Sequence, residues 1–335
     1  HVMARRQRQM CIRDRFLGDP RVIDINPWVW KIILNCFVLP FRPSKSAKLY
    51  ARIWDGKSFP LITNTAKFTA NVKKELKKID RDEYVEVNHA FLLSPPYVND
   101  VYDSWEKDLK KGTGATKLLV IPMFPQYSES TIASGIDALA KELSQRVKIP
   151  TFEVITNFHR THAFIDNSVH QVDSKISELK SKGIKIDNLI ISFHGMQKRR
   201  IVNKGDDYYR HCYETFRLII NKLKNIRPKQ AFMSFQSRFG SEEWITPYTD
   251  DVVQDIIDKG CKEISVYAPS FVSDCLETTD ELGHELVNDA KEWGGNIYPI
   301  KCLNTNTQWC KDFAKYTYIQ AVSYTHLTLP TSHNV

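Results

Sequence analysis

Residues 189–196 read LIISFHGM, and this short stretch decides the fold. Its aliphatic and small residues, closed by Phe193, suit a strand buried on both faces. His194 and Gly195 then suit the mouth of a loop at the strand's C-terminal end, where open α/β sheets gather their chemistry. Working outward, apolar runs of the same type recur at 84–93, 117–124, 151–157, 187–194, 230–237, 262–269 and 296–300. Helical patterns lie between them near 65–79, 98–112, 129–146, 163–182, 208–225, 249–260, 274–293 and 307–320. This alternation predicts an α/β fold of parallel strands with helices on both faces, as one wide sheet or as two smaller Rossmann-like sheets. The helix at 163–182 and the turn at 183–185 form the expected crossing point between halves. The first run begins only at residue 84, so a strand that should open the first half is expected to be missing, with FLGDPRVIDINP starting partway through a helix.

Composition narrows the class. A chain of 335 residues with 42% hydrophobic and 26% charged residues can bury a large core and fold as a globular protein. The net charge of +8 is unevenly spread: the first fifteen residues hold five Arg against Asp14, which is half of the excess. Both ends, RRQRQMCIRDR (5–15) and VSYTHLTLPTS (322–332), resemble translated sequencing-adaptor read-through, so 1–15 and 322–335 are set aside as non-native. With them goes the charge argument for a nucleic-acid partner. Seven Cys without a C-x-x-C pair fit free thiols in a reducing cytoplasm. No run reaches the ~18 apolar residues of a membrane span. The stretch NPWVWKIILNCFVLPFRPSK (26–45) reads as an interfacial lip, a greasy pocket wall or a core helix.

The loops at strand ends hold the candidate chemistry. After 117–124 comes PQYSEST, whose hydroxyls and backbone N–H groups suit either an anion or simple helix capping. After 262–269 comes PSFVSDCLETTDELGHE, in which Glu277, Glu281 and Glu285 recur every four residues. On an α-helix they form one acidic stripe drifting by about 40° per step, less if a π-turn intervenes. Such a stripe is usually a solvated face, but this one starts just past a buried strand, where a helix N-terminus points into the site. One His and a ladder of carboxylates, without a cysteine cage, can hold a divalent ion by exchangeable ligands or move protons through a pocket.

Six motifs then make a pattern together: KLYARIW (48–54), PMFPQYSEST (122–131), ISFHG (191–195), KGDDYYRHC (204–212), QSRFGSEEWITPYTDD (236–251) and FVSDCLETTDEL (271–282). In this order, over roughly residues 16–320, they resemble the ferrochelatase family. The resemblance implies two Rossmann-like domains, each a parallel four-stranded sheet flanked by helices, with the active-site cleft between them. Residues 16–160, with the apolar lip, form the first domain, completed by the C-terminal helix 307–320, and residues 161–306 form the second. It implies that His194 and Glu277 are catalytic, face each other across a porphyrin and contact the metal. Glu281 and Glu285 would relay protons or metal, and Tyr127, Ser128, Ser130, Trp28 and Ile32 would bind the porphyrin.

The implied activity is that of a lyase inserting ferrous iron into protoporphyrin IX to give protohaem, the terminal step of haem biosynthesis. The FHG and PQYSEST segments look like the protoporphyrin-using bacterial members. Ferrous iron is then a substrate and no cofactor is resident. A [2Fe-2S] cluster is not expected, because Cys302 and Cys310 do not supply four ligands. The implied location is cytoplasmic, with residues 28–41 touching the inner face of the cytoplasmic membrane. Two departures from the family pattern are Cys275, where many members carry His, and Leu92-Leu93, where an Arg-Tyr pair is usual. The competing reading is a non-catalytic porphyrin- or haem-binding protein, which has no need of both His194 and Glu277.

Overall fold

The computed structural model describes residues 17–23, 28, 30, 49–79, 85–112 and 117–323. In chain order the elements are α1 (Pro60–Ile79), α2 (Val98–Lys110), β1 (Lys117–Val120), α3 (Ser134–Leu143), β2 (Thr151–Val154), α4 (His162–Ser181) and β3 (Asn188–His194). There follow α5 (Lys198–Val202), α6 (Tyr208–Ile220), β4 (Ala231–Gln236), α7 (Thr249–Asp258), β5 (Glu263–Tyr267), α8 (Leu286–Glu292), β6 (Asn296–Ile300) and α9 (Thr307–Ser323). Two π-helical segments, Glu129–Ala133 and Glu277–Glu285, lead directly into α3 and α8.

Strand β3 is the centre of a four-stranded parallel sheet of order β4-β3-β5-β6. Its alternate residues serve two cores, as a period of two requires. Leu189, Ile191 and Phe193 join α4, α6 and α9 on one face, whereas Ile190 meets Val253, Ile256, Leu282 and Leu286 of α7, the π-segment and α8 on the other. Those four β3 side chains are fully buried, each contributing about 1.5–3 kcal/mol before conformational entropy is counted. The last helix, α9, packs on α1 and α4, with Trp309 stacked on Phe68 at 5.6 Å.

The other sheet differs from expectation. Among the described residues it has two parallel strands, β1 and β2, with Lys117 opposite Thr151, rather than four. The run at 84–93 forms no strand over its described part, 85–93. Its apolar periodicity is instead met by Val85 and Val87 packing against the main core, while the Phe91 N–H turns back to Pro96 O at 2.8 Å. Alternation marks a buried face, but a ladder also needs a partner edge. β1 likewise stops at Val120 rather than 124, ahead of Pro122, which has no N–H to give a ladder. Among the described residues no helix is long and apolar enough to cross a membrane. Of the lip at 28–41 only positions 28 and 30 are described; Trp28 is 76% exposed, and Ile32 lies outside the described residues.

Candidate active site

The alternation along β3 places His194 on the side of Ile190 and Ser192, which is also the side of the π-helical segment carrying the glutamates. Its peptide is held in a closed ring of hydrogen bonds. The His194 N–H donates to Ser270 Oγ (3.2 Å), Ser270 Oγ lies 3.0 Å from the Tyr208 hydroxyl, and that hydroxyl donates to His194 O (2.9 Å). Burial pushes the Tyr208 phenol well above its ordinary pKa, so it stays a donor. The ring nitrogen Nδ1 lies 2.7 Å from Gly195 O. A carbonyl can only accept, so Nδ1 carries a proton, and in the neutral ring the lone pair falls to Nε2, the tautomer a general base requires.

Gly195 explains why the strand ends as it does. Its N–H bonds to Gln236 O at 2.7 Å, and a Cβ there would sit 2.7 Å from that same oxygen and 3.1 Å from the Trp244 ring. Phe193 fills one core, His194 turns to the other face, and only Gly permits the approach that follows.

Gln236 stands opposite His194 in the β3–β4 register. Ser192 Oγ donates to its Oε1 (2.8 Å), which turns its Nε2 toward Glu277 O and Glu281 Oε2, each 3.2 Å away. The next residue, Ser237, adopts a left-handed φ of 66°, a conformation that costs a non-Gly residue about 1–3 kcal/mol. That conformation aims both the Ser237 N–H (2.6 Å) and its hydroxyl at the Glu281 carboxylate. Burial raises the pKa of Glu281, while the donors from Ser237 and Gln236 and the nearby His194 oppose the rise. Removing the hydroxyl should therefore lift it further. In Ser237→Ala, the acid limb of a rate that needs the Glu281 carboxylate moves to higher pH. A pH–rate profile identical to that of the unmodified chain would show that Glu281 does not titrate in the rate.

The acidic stripe runs from the interior outward. Glu277 and Glu281 are partly buried and Glu285 is exposed. Arg52, from the KLYARIW motif, clasps the outer end: its Nη2 lies 3.1 Å from Glu285 Oε1 and 3.0 Å from Oδ2 of Asp280, a carboxylate only 2% exposed. Arg52 Nε also lies 2.9 Å from Asp280 Oδ1, off the hydrogen-bonding line. Arg52→Ala would strand Asp280 in the interior. Because the guanidinium is 37% exposed, the cost expected is about 1–3 kcal/mol, below that of a fully buried pair. Denaturant unfolding measures it, and adding Asp280→Asn should restore part of the loss; equal stability of wild type and Arg52→Ala would refute the clasp.

The inner end is tied to α1 through Asn304. Asn64 Nδ2 and the Asp274 N–H both donate to Asn304 Oδ1 at 2.8 Å, and Asn304 Nδ2 returns a bond to Asp274 Oδ2 at 2.8 Å. Burial first, and then the charge of Glu277, pushes the Cys275 thiol well above its ordinary range. Without a metal ion beside it, Cys275 is thus a neutral thiol next to the site.

The turn after β1 sits against α6. Gln126 Nε2 donates to Thr215 Oγ1 (3.1 Å) and Pro269 O (3.3 Å), the Tyr127 N–H to His211 Nδ1 (3.1 Å), and the Glu129 N–H to Asp206 Oδ2 (2.7 Å). Ser128 is buried, its hydroxyl 2.8 Å from Thr131 Oγ1 and 3.3 Å from Ser130 Oγ. The structure thus brings His194, the Glu277 backbone and the Glu281 carboxylate to one pair of strand ends, and links Tyr127 and Ser128 to them through α6. Among the described residues no three His, Cys, Asp or Glu side chains close on a common point. Sequence reasoning assigned no role to Gln236, Ser237, Arg52, Asp280, Tyr208 or Ser270. Gln236 was within reach, since β3 and β4 end together and a residue in register with His194 must adjoin it.

The site is thus a parallel α/β sheet whose strand ends carry a histidine beside a helix of carboxylates, residue types able to move protons or to bind a divalent ion weakly. The ferrochelatase family model matches residues 13–318. The chain is 38% identical over 293 residues to the ferrochelatase of Idiomarina loihiensis, covering 87% of this chain and 77% of that one. It is 34% identical over 318 residues to the ferrochelatase of Herminiimonas arsenicoxydans (95% and 83% covered), and 35% identical over 304 residues to that of Actinobacillus pleuropneumoniae serotype 7 (90% and 89%). Among solved structures it is similar in fold to SirB from Bacillus subtilis with Fe3+, with a TM-score of 0.50 and 14% identity over 77% of this chain and 92% of that one. The chain belongs to the ferrochelatase family: it is a lyase of haem biosynthesis, with ferrous iron as a substrate.

Proposed function

We propose that the porphyrin is protoporphyrin IX, that the product is protohaem, and that His194 Nε2 is the base of the reaction. The observation that carries this reading is the locked tautomer of His194 at the same strand ends as the Gln236–Ser237–Glu281 network. Metallation exchanges two pyrrole protons for one Fe2+. In this reading His194 Nε2 and Glu277 contact the incoming metal first, and each accepts one pyrrole proton as the iron passes into the ring, because a doubly protonated imidazole has no lone pair left for a metal. Glu281, with its raised pKa, passes protons outward, and Glu285 delivers them to solvent where Arg52 clasps it. The same stripe serves as a route for iron, because single carboxylates bind weakly and release readily. Gripping the macrocycle in a saddled shape exposes its nitrogen lone pairs and binds the distorted ring more tightly than the flat one.

Tyr127, Ser128, Ser130, Trp28 and Ile32 line the porphyrin site in this reading. Residues 16–160 with helix 307–320 form one Rossmann-like domain and 161–306 the other. The packing of α9 on α1 supports that division, and the Gln126 to Pro269 bond is a direct contact between the halves. The protein works in the cytoplasm, with its lip at 28–41 against the membrane, and carries no iron–sulfur cluster.

The test is anaerobic. The chain is mixed with ferrous iron and either protoporphyrin IX or coproporphyrin III, and the porphyrin absorption bands are followed. Faster metallation of protoporphyrin IX supports the proposal. Preference for coproporphyrin III overturns the substrate assignment, and binding without metallation of either overturns the catalytic one in favour of a binding protein.

A further inference from the structure

The turn that bears Tyr127, Ser128 and Ser130 owes its place to one helix from the other half of the chain. Asp206 just ahead of α6, then His211 and Thr215 within it, receive Glu129, Tyr127 and Gln126 in succession, so the turn lies across the helix's first two turns. The same helix begins at Tyr208, whose hydroxyl holds the His194 carbonyl. α6 therefore connects the turn to the base.

His211 is the unusual member of this contact. Its Nδ1 faces the Tyr127 amide, which can only donate, so that nitrogen must be unprotonated. Its Nε2 then carries the ring proton, so the approach of Arg210 Nη2 to 3.3 Å is a contact of two donors and not a hydrogen bond, and the buried ring of His159 stacks on it at 4.0 Å between centroids, with 22° between planes. His159 is itself anchored by Glu214, Nε2 to Oε2 at 2.8 Å, and Glu214 also takes Arg210 at 3.1 Å.

We propose that His211 is the positioning residue of the porphyrin-binding turn: as a neutral acceptor for the Tyr127 amide, it sets how tightly the Tyr127–Ser128–Ser130 group holds the porphyrin. The proposal rests on the reading of that turn as part of the porphyrin site. The electrostatics agree with it. Burial, then His159 and Arg210, lower the pKa of His211 to about 4, with Asp207 and Glu214 acting the other way. The imidazole is therefore an acceptor throughout the neutral range. The stack on His159, whose own pKa is lowered by burial against the pull of Glu214, keeps two like rings uncharged together.

His211→Lys replaces the acceptor with a donor, whereas His211→Gln keeps an acceptor through its Oε1. The first should weaken binding of metal-free protoporphyrin IX about tenfold, read by fluorescence titration, and raise KM with kcat at saturation little changed. It should also speed amide hydrogen exchange across residues 125–131. The Gln variant should stay within about twofold of wild type in affinity. Unchanged exchange in His211→Lys, in a protein that unfolds at the wild-type temperature, overturns the proposal. Faster exchange with unchanged porphyrin affinity overturns instead the reading of the turn as porphyrin-binding, and the proposal's functional half with it. Should the Lys variant not fold, His211→Ala, which removes the acceptor without adding charge, carries the same two measurements and the same criteria.

Discussion

His194→Ala lowers the rate of iron insertion at saturating porphyrin by about 10²–10⁴-fold, the usual worth of a positioned general base, while leaving porphyrin affinity within a few-fold. The split follows from where the residue sits. A flat macrocycle is bound through its large apolar surface, to which one imidazole adds little, but its pyrrole protons must pass to a group whose lone pair is already free. Here that lone pair is fixed by two independent arrangements: the Nδ1–H bond to Gly195 O sets the tautomer, and the Ser270–Tyr208 ring sets the peptide. Neither depends on the imidazole carrying charge, so the truncated side chain should leave a folded protein with its strand ends in place. Stopped-flow metallation gives the rate and fluorescence quenching the affinity. Added imidazole should recover part of the lost rate, because the substitution leaves space next to a still-anchored peptide. A loss of less than about tenfold would move the base to another residue, with Glu277 next in line.

Much of this arrangement was legible in the sequence, and what escaped has common physical causes. The second sheet could be read almost to the residue because β3 and β5 are buried on both sides beneath their helices, and burial leaves a continuous apolar signature. His194 and the Glu277–Glu281–Glu285 spacing stood out for a related reason: polar residues directly after such runs are local signals. The first sheet was over-read. Residues 85–93 have the right alternation, yet what decides a strand is a partner edge supplied by distant residues, which local periodicity does not encode. Arg52 and Asp280 were missed because their meeting spans 228 positions and each alone looks like a surface charge. Ser237 was missed because nothing in its identity announces a left-handed backbone; Gly or Asn would have. His211 sits in a motif that was recognised as a block, but its role depends on the Tyr127 amide 84 positions away.

Gly195→Ala carries the second large effect, and it separates packing from catalysis. The new methyl group would meet the Gln236 carbonyl oxygen at 2.7 Å, and a main-chain atom cannot swing aside as a side chain can. Relief requires β3 and β4 to part at their C-terminal ends, where the Gly195 N–H holds that same oxygen. Two functional groups move with it. Gly195 O is the acceptor that sets the His194 tautomer, and the Gln236 side chain is the donor to both the Glu277 carbonyl and the Glu281 carboxylate. A displacement on the order of 1 Å at such a junction is enough to cost about 10²-fold in rate, and overpacking of this kind costs about 1–3 kcal/mol in stability. Gly183→Ala is the matched control. Gly183 has a φ of +81° and no heavy atom within 4 Å of a built Cβ, so the substitution pays only for the left-handed backbone, again about 1–3 kcal/mol, far from the strand ends. Thermal unfolding should therefore show both variants weakened to a similar degree, while single-turnover metallation falls only in Gly195→Ala. Equal activity in the two would mean that the β3–β4 junction tolerates the shift, and that His194 and Glu281 are positioned from elsewhere.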